Sequence, residues 1–273
     1  MEAKDLQVFS LASGSSGNAY LVRHQKQALL LDAGLSGKRT LAGLAEISVD
    51  PASISGILIT HEHNDHIAGA GILSRRFNLP LYMTKGTWVG ASRKLGKIEE
   101  KNVYLIEANS SFVLGNLEIT AIPICHDARE PVNYVFDSGK CRAAVLTDTG
   151  SVPSSILKIL ATCQAMVLEA NHDGEMLRTG PYPWPLKQRV GGELGHLSNL
   201  QAARVAAWLA INGKIRQIQL GHLSAVNNNP NFALAAVSQF LVSAGLGAEL
   251  VCRNLQVLPR QRGGPVLQVY EQI

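Results

Sequence analysis

Cysteine is scarce in this chain of 273 residues. The four present, Cys125, Cys141, Cys163 and Cys252, are widely separated and form no CxxC pair. Each lies in or beside an apolar run, where a free thiol behaves as a small buried hydrophobe. That usage speaks against a disulfide framework and for a reducing compartment. No uninterrupted apolar stretch approaches the roughly 20 residues needed to cross a bilayer. The opening MEAKDLQVFS has no basic segment followed by an apolar one, the pattern an export signal requires. These absences predict a soluble cytoplasmic protein with no membrane partner. Charge is also modest, with 17% charged residues and a formal net charge of +4. Such a balance gives no sign of a long disordered tail, and it permits a nucleic-acid partner without arguing for one. Short repeats and low-complexity linkers are missing too.

Hydrophobic residues make up 46% of the chain, enough to bury a large core. The expectation is a single domain over 1–273, built of two similar halves at roughly 1–150 and 151–273. Short β-prone runs at Leu6–Leu11, Ala19–Arg23 and Ala28–Leu31 predict strands. The first two are separated by Ser13–Asn18, whose simplest reading is a hairpin turn. Further strands are expected at Ile57–Ile59, Leu81–Met83, Val103–Ile106, Phe112–Leu114, Leu117–Ile124, Tyr134–Phe136 and Ala143–Leu146. In the second half, strands at Ala165–Leu168 and Ile215–Leu220 alternate with helices. Predicted helices are Ile67–Phe77, Pro153–Leu160, Asn199–Ala210 and Asn231–Leu241. The Gly- and Pro-rich stretch Gly174–Leu194 has no clear period and reads as a long irregular loop. This mixture points to stacked sheets with helices outside.

The densest chemistry lies in Thr60-His61-Glu62-His63-Asn64-Asp65-His66, an HxHxDH string directly after a strand. Alternation at a strand end puts His61 and His63 on one side. Asp65 and His66 follow as the chain turns into a helix. Imidazoles with a carboxylate are the donor set that borderline divalent metals prefer. Four more polar residues fall at or just past predicted strand ends: Asp32 in LLLDAG, His126 after Ala121–Cys125, Asp148 in LTDTG and His222 in LGHLS.

In these motifs and their order the chain resembles the metallo-β-lactamase superfamily over nearly its whole length. The resemblance implies an α/β fold, an αββα four-layer sandwich of two mixed β-sheets flanked by helices. It also implies two divalent metal ions, zinc first and manganese as the alternative. One would be held by His61, His63 and His126, and the other by Asp65, His66 and His222, with Asp148 bridging. Asp32 would fix the tautomer of a ligand histidine.

Within the superfamily, LASGSSGN, HDAREPVNY, LEANHD and GHLSN are similar to the YycJ/WalJ-type bacterial proteins, metal-dependent DNA exonucleases. The implied function is hydrolysis of a phosphodiester, of DNA rather than RNA, by a metal-activated water that Asp65 or Asp148 orients. His196 would touch the scissile phosphate or protonate the leaving oxygen, Glu169 would hold His196, and His172 would be a further phosphate contact. Lys187 and Arg189, near Tyr182 and Trp184, are candidates for backbone phosphates and base stacking. Arg93, Lys94 and Lys97 could extend a basic surface. The competing reading is a small-molecule ester, thioester or lactone hydrolase with the same metal residues. A non-catalytic scaffold that kept the fold is a third, disfavoured by ligands at every position.

Overall fold

The computed structural model describes residues 6–246 and 254–270; Cys252 lies outside them. Two seven-stranded mixed sheets face each other. The first contains β1 (Leu6–Ala12), β2 (Ala19–His24), β3 (Gln27–Leu31), β4 (Ile54–Leu58), β5 (Leu81–Thr84) and β6 (Val103–Ile106). The second contains β7 (Ser111–Leu114), β8 (Leu117–Pro123), β9 (Val132–Asp137), β10 (Arg142–Leu146), β11 (Ala165–Glu169), β12 (Gln217–Gly221) and β13 (Leu255–Val257). The chain then returns, and β14 (Leu267–Val269) pairs antiparallel with β1 at the edge of the first sheet.

Strand alternation sorts the apolar side chains into three layers. Leu29 and Leu31 point between the sheets with Leu58, Tyr134, Phe136 and Val145, while Leu30 points the other way. That outer face of the first sheet, with Ile57 and Met83, packs on α1 (Gly37–Glu46), α3 (Ala70–Phe77) and α4 (Lys85–Leu95) through Leu44, Leu73 and Leu95. The outer face of the second sheet, with Leu146, Met166 and Leu168, packs on α5 (Ser154–Leu160), α8 (Asn199–Asn212) and α9 (Pro230–Ser243). Three apolar interfaces between four layers give the αββα sandwich that the resemblance implies. None of the described helices is long and apolar enough to cross a membrane.

Three local differences from the sequence reading have physical causes. The helix expected at Ile67–Phe77 is interrupted: α2 (Asn64–Ile67) ends, and α3 begins after Gly69. A side chain at Gly69 would lie 2.3 Å from the Leu35 carbonyl, and its N–H donates to Ala33 at 2.7 Å. Gly174–Leu194 is not irregular but folds into α6 (Gly174–Thr179) and α7 (Trp184–Val190). The Asp173 side chain caps α6 by accepting from Glu175 and Met176 at 3.0 Å each, and Pro185 sits in the first turn of α7, where a missing N–H costs nothing. The helices α1 and α4 were not expected, although Ser36 and Thr84 cap them in the ordinary way.

The sheets are tied together beside the HxHxDH string. The Tyr134 hydroxyl on β9 donates to the Ile59 carbonyl at 3.0 Å, and Val132 N–H donates to Thr60 at 3.0 Å. The strand end that launches His61 is therefore held from the opposite sheet.

Candidate metal centre

Asp32, Asp148 and His222 each follow a strand's carboxyl end, and all three have left-handed backbone, at φ of 58°, 57° and 54°. A side chain in that region costs about 1–2 kcal/mol, least for Asp, Asn and His. The chain turns sharply out of the sheet at these points, with the side chains retained near the gap between the two sheets. Ser13 supports one of the turns: its Oγ accepts the His222 N–H at 2.8 Å and is bonded to the buried Tyr20 hydroxyl at 2.7 Å.

Six of the eight histidines lie in one chain of ring contacts. His61, His63 and His126 have centroids 4.6–5.0 Å apart. His61 also meets His66, His66 meets His222, and His196 meets both His126 and His222. Five of the six have the Nδ1 engaged by an acceptor, and in four of them, His61, His66, His126 and His222, this turns the Nε2 lone pair inward. His66 Nδ1 donates to Asp32 Oδ2 at 2.7 Å. His222 Nδ1 donates to Glu169 Oε1 at 2.7 Å. His126 Nδ1 donates to the Gly195 carbonyl at 3.3 Å. His61 Nδ1 lies 2.9 Å from Thr60 Oγ1, whose own hydroxyl proton goes to Asp32 at 2.9 Å. Such outer partners set the tautomer of metal-ligating imidazoles.

The inward atoms fit a pair of small cations. His63 Nδ1 lies 3.0 Å from His61 Nε2 and 3.2 Å from His126 Nε2. Without a cation these spacings are N–H···N hydrogen bonds, and they are also close to what a metal would set: a tetrahedral zinc with Zn–N of about 2.0–2.1 Å holds its ligand nitrogens about 3.3 Å apart. A second group is formed by Asp65, His66 and His222. Asp148 lies between them, with Oδ2 3.3 Å from His66 Nε2 and Oδ1 3.5 Å from His222 Nε2 and 3.9 Å from His126 Nε2. Asp148 Oδ2 and His222 Nε2 are buried with no hydrogen-bond partner. Two orphaned buried acceptors in one cluster are what a divalent ion would satisfy.

Charge follows the same plan. Burial pushes the His61 imidazole well below its ordinary value, with the His66 charge adding to the effect, so His61 is neutral. Burial works against ionisation of Asp148, but His222 and His66 outweigh it and hold the carboxyl well below the usual range. Glu169 is fully buried and accepts five hydrogen bonds: from Asp148, Thr149 and Leu197 N–H at 3.0–3.2 Å, from His196 Nδ1 at 2.9 Å and from His222 Nδ1. Burial pushes its carboxyl up, and the His196 charge with the two imidazole bonds brings it down to about 2. Conversely, burial pushes His196 down, and Glu169 raises it to about 9.

The other candidates divide. His172 is buried rather than exposed, its Nδ1 has no partner, and burial holds it down to about 4. Arg189 is spent on an ion pair with Asp127 at the rim, and Lys187 donates to the Arg178 carbonyl at 2.8 Å. Trp184 is exposed. Lys94 donates to the Glu62 carbonyl at 2.9 Å, while Arg93 and Lys97 are exposed on and just after α4.

The Ser13–Asn18 turn, whose simplest reading from the sequence is a hairpin connection although it could border the site, reaches the centre itself. Asn18 Oδ1 accepts Gly14 N–H at 2.9 Å, and that fixes its amide nitrogen 3.0 Å from His66 Nε2. The Asn18 backbone donates to Asp65 at 2.8 Å, and a side chain at the adjoining Gly34 would lie 1.6 Å from the same carbonyl. The six-residue run without a strand or helix pattern was the available signal.

Backbone strain at His222 has a measurable consequence. In chelator, His222→Gly should be more stable than His222→Ala by about 1 kcal/mol in urea unfolding, because glycine adopts the left-handed turn freely. Equal stability would mean the turn stores no strain.

Comparison with known proteins agrees with this geometry. Residues 27–216 match the family model described as beta-lactamase superfamily domain. The chain is 39% identical over 237 residues to exodeoxyribonuclease YycJ of Bacillus anthracis, covering 87% of this chain and 89% of that protein. It is 41% identical over 239 residues to exodeoxyribonuclease WalJ of Streptococcus pneumoniae, covering 87% and 88%. Among solved structures, the metallo-beta-lactamase fold protein YhfI of Bacillus subtilis superimposes with a TM-score of 0.73 at 15% identity, over 97% of this chain and all of that one. The chain therefore belongs to the metallo-β-lactamase-fold hydrolases of the β-lactamase superfamily, in the family that includes YycJ and WalJ.

Proposed function

We propose that this hydrolase is a two-metal DNA exonuclease. The observation that carries the reading is the shared carboxylate of Glu169, which orients one inward-facing ligand, His222, and one partly exposed imidazole, His196, from the same oxygen. That pairing couples a metal site to a proton donor, and phosphodiester cleavage can draw on both. The names of the two relatives support DNA as the substrate.

In this reading His61, His63 and His126 hold one divalent ion, Asp65, His66 and His222 hold the second, and Asp148 bridges them, with Asp32 and Glu169 fixing the histidines. Zinc suits the nitrogen-rich set, and manganese is the alternative. When bound, the ions supply Lewis-acid activation of water and stabilise charge on the phosphoryl oxygens. Asp65, 28% exposed, would accept a hydrogen bond from the attacking water. His196, 19% exposed and protonated at neutral pH, gives its Nε2 proton to the departing oxygen and regains one from solvent. His172, neutral in the same range, would contact a phosphate only as an N–H donor. The thiols of Cys125 and Cys163, the latter pushed by burial to about 12, suit a reducing cytoplasm.

The test is digestion of end-labelled single- and double-stranded DNA with Mn²⁺ or Zn²⁺. Progressive shortening from one end is expected, abolished in His63→Ala. A fall of about 10²–10⁴ in rate is expected for His196→Ala with metal retained. Robust thioester or lactone hydrolysis with intact DNA would overturn the reading.

The pH profile tests the proton donor separately. A raised His196 is protonated below its folded value and loses the proton as pH rises through it, so activity should fall on the basic side. Glu169→Gln removes the charge that raises it, and the basic limb should move to lower pH. Bound dications lower the limb in both enzymes, so the comparison between them carries the result. An unmoved limb would remove His196 from the role.

A further inference from the structure

Cations remote in sequence meet beside the metal centre. The segment 258–264 packs over the Ser13–Gly17 turn: Ser13 N–H donates to the Arg260 carbonyl at 3.3 Å, and Gly264 N–H donates to Ser10 at 3.0 Å. Arg39, in the first turn of α1, reaches across 222 residues to donate to the Gln261 carbonyl at 3.1 Å. Arg260 donates to the Ser224 carbonyl at 2.9 Å, two residues past His222. Lys38, Arg39 and Arg262 are exposed, as are Ser15 and Ser16 at the tip of the turn. Four cations, Lys38, Arg39, Arg260 and Arg262, thus border a turn whose base touches His222 through Ser13 and Asp65 through Asn18.

Their charges are not cancelled. Arg39 and Arg260 bond to carbonyls, which hold a guanidinium in place without neutralising it. Among the described residues none of the four has a carboxylate within ion-pair distance, in contrast to Arg178 on Glu175 and Arg189 on Asp127. Glu46, at the other end of α1, comes near Gly263 beside Arg262 without forming an ion pair. The amino end of α1 adds its own partial positive charge beside Lys38 and Arg39. Such a patch fits a polyanion, and fixed guanidiniums favour phosphodiester oxygens.

We propose that Arg39, Arg260 and Arg262, with Lys38, form the track that grips the backbone phosphates of the DNA strand next to the scissile bond, on the His222 and Asp65 side of the centre. The assignment rests on the nuclease reading above. It makes these residues positioning groups: they set where the strand lies and take no part in bond cleavage. It also explains how the chain holds a long substrate, since Arg189 of α7 is neutralised by Asp127.

The experiment is fluorescence anisotropy of a labelled single-stranded oligodeoxynucleotide, in chelator and across a range of salt concentrations. Each lost phosphate contact lowers the slope of log affinity against log salt by about 0.7. The double variant Arg39→Gln/Arg262→Gln should lose about 1.4 from that slope and bind roughly tenfold more weakly at low salt. Arg39→Lys/Arg262→Lys should restore most of the slope, which a merely structural effect would not do. Lys158→Gln, on the distant α5, should match wild type. A double variant with the wild-type slope, or a wild type that does not bind the strand, would overturn the track. Digestion of the same strand with Mn²⁺ separates the two claims: binding through the track without cutting would defeat the nuclease reading alone.

Discussion

A carboxylate without solvent contact costs several kcal/mol unless hydrogen bonds and opposite charge replace its lost hydration. Glu169 meets that condition with five donors, and in doing so it gathers the second sheet's contribution to the centre. Its acceptors fix the backbone at Asp148 and Thr149, the start of the approach to α8 at Leu197, and the imidazoles of His196 and His222. Asp32 performs the matching task for the first sheet, accepting from Thr60 and His66. The two buried acids are thus the organisers, one on each side of the gap. Among the groups they orient, Asp148 Oδ2 and His222 Nε2 are left buried with no hydrogen-bond partner.

That arrangement makes stability and function compete at the same atoms. Three left-handed turns and two orphaned buried acceptors, Asp148 Oδ2 and His222 Nε2, all raise the energy of the ion-free protein. The surrounding structure over-determines them through the Ser13 and Asn18 contacts, the Tyr134 tie between sheets and the packing of Gly34 against Asp65. A divalent ion would relieve the orphaned acceptors directly, and binding it would contribute to folding free energy.

Much of this was legible in the sequence because its signals were local. The HxHxDH string begins three residues past a strand, and Asp32, Asp148 and His222 each stood at or just past the end of an apolar run that alternation identified. The sandwich followed from strands that alternate and helices that carry one apolar face. What escaped was set by distance along the chain or by context. The second bond of Glu169 joins residues 53 apart, and Ser13 meets His222 across 209, so neither has a local signature. The Ser13–Asn18 run looked like turn chemistry because it is a turn, and only the packing shows what it touches. In Gly174–Leu194, glycine and proline masked two helices whose caps, Asp173 and Pro183, lie just outside their periodic parts. The basic track depends on a carbonyl contact between Arg39 and Gln261, which no pattern in either segment announces.

The central claim is that two divalent ions complete the site, one on each histidine group. Calorimetric titration of Zn²⁺ or Mn²⁺ into chelator-treated, dialysed protein counts them directly. Two equivalents per chain are expected, reduced to one in His63→Ala and to one in His222→Ala. A single equivalent in the native protein, or two that survive unchanged in both variants, would contradict it.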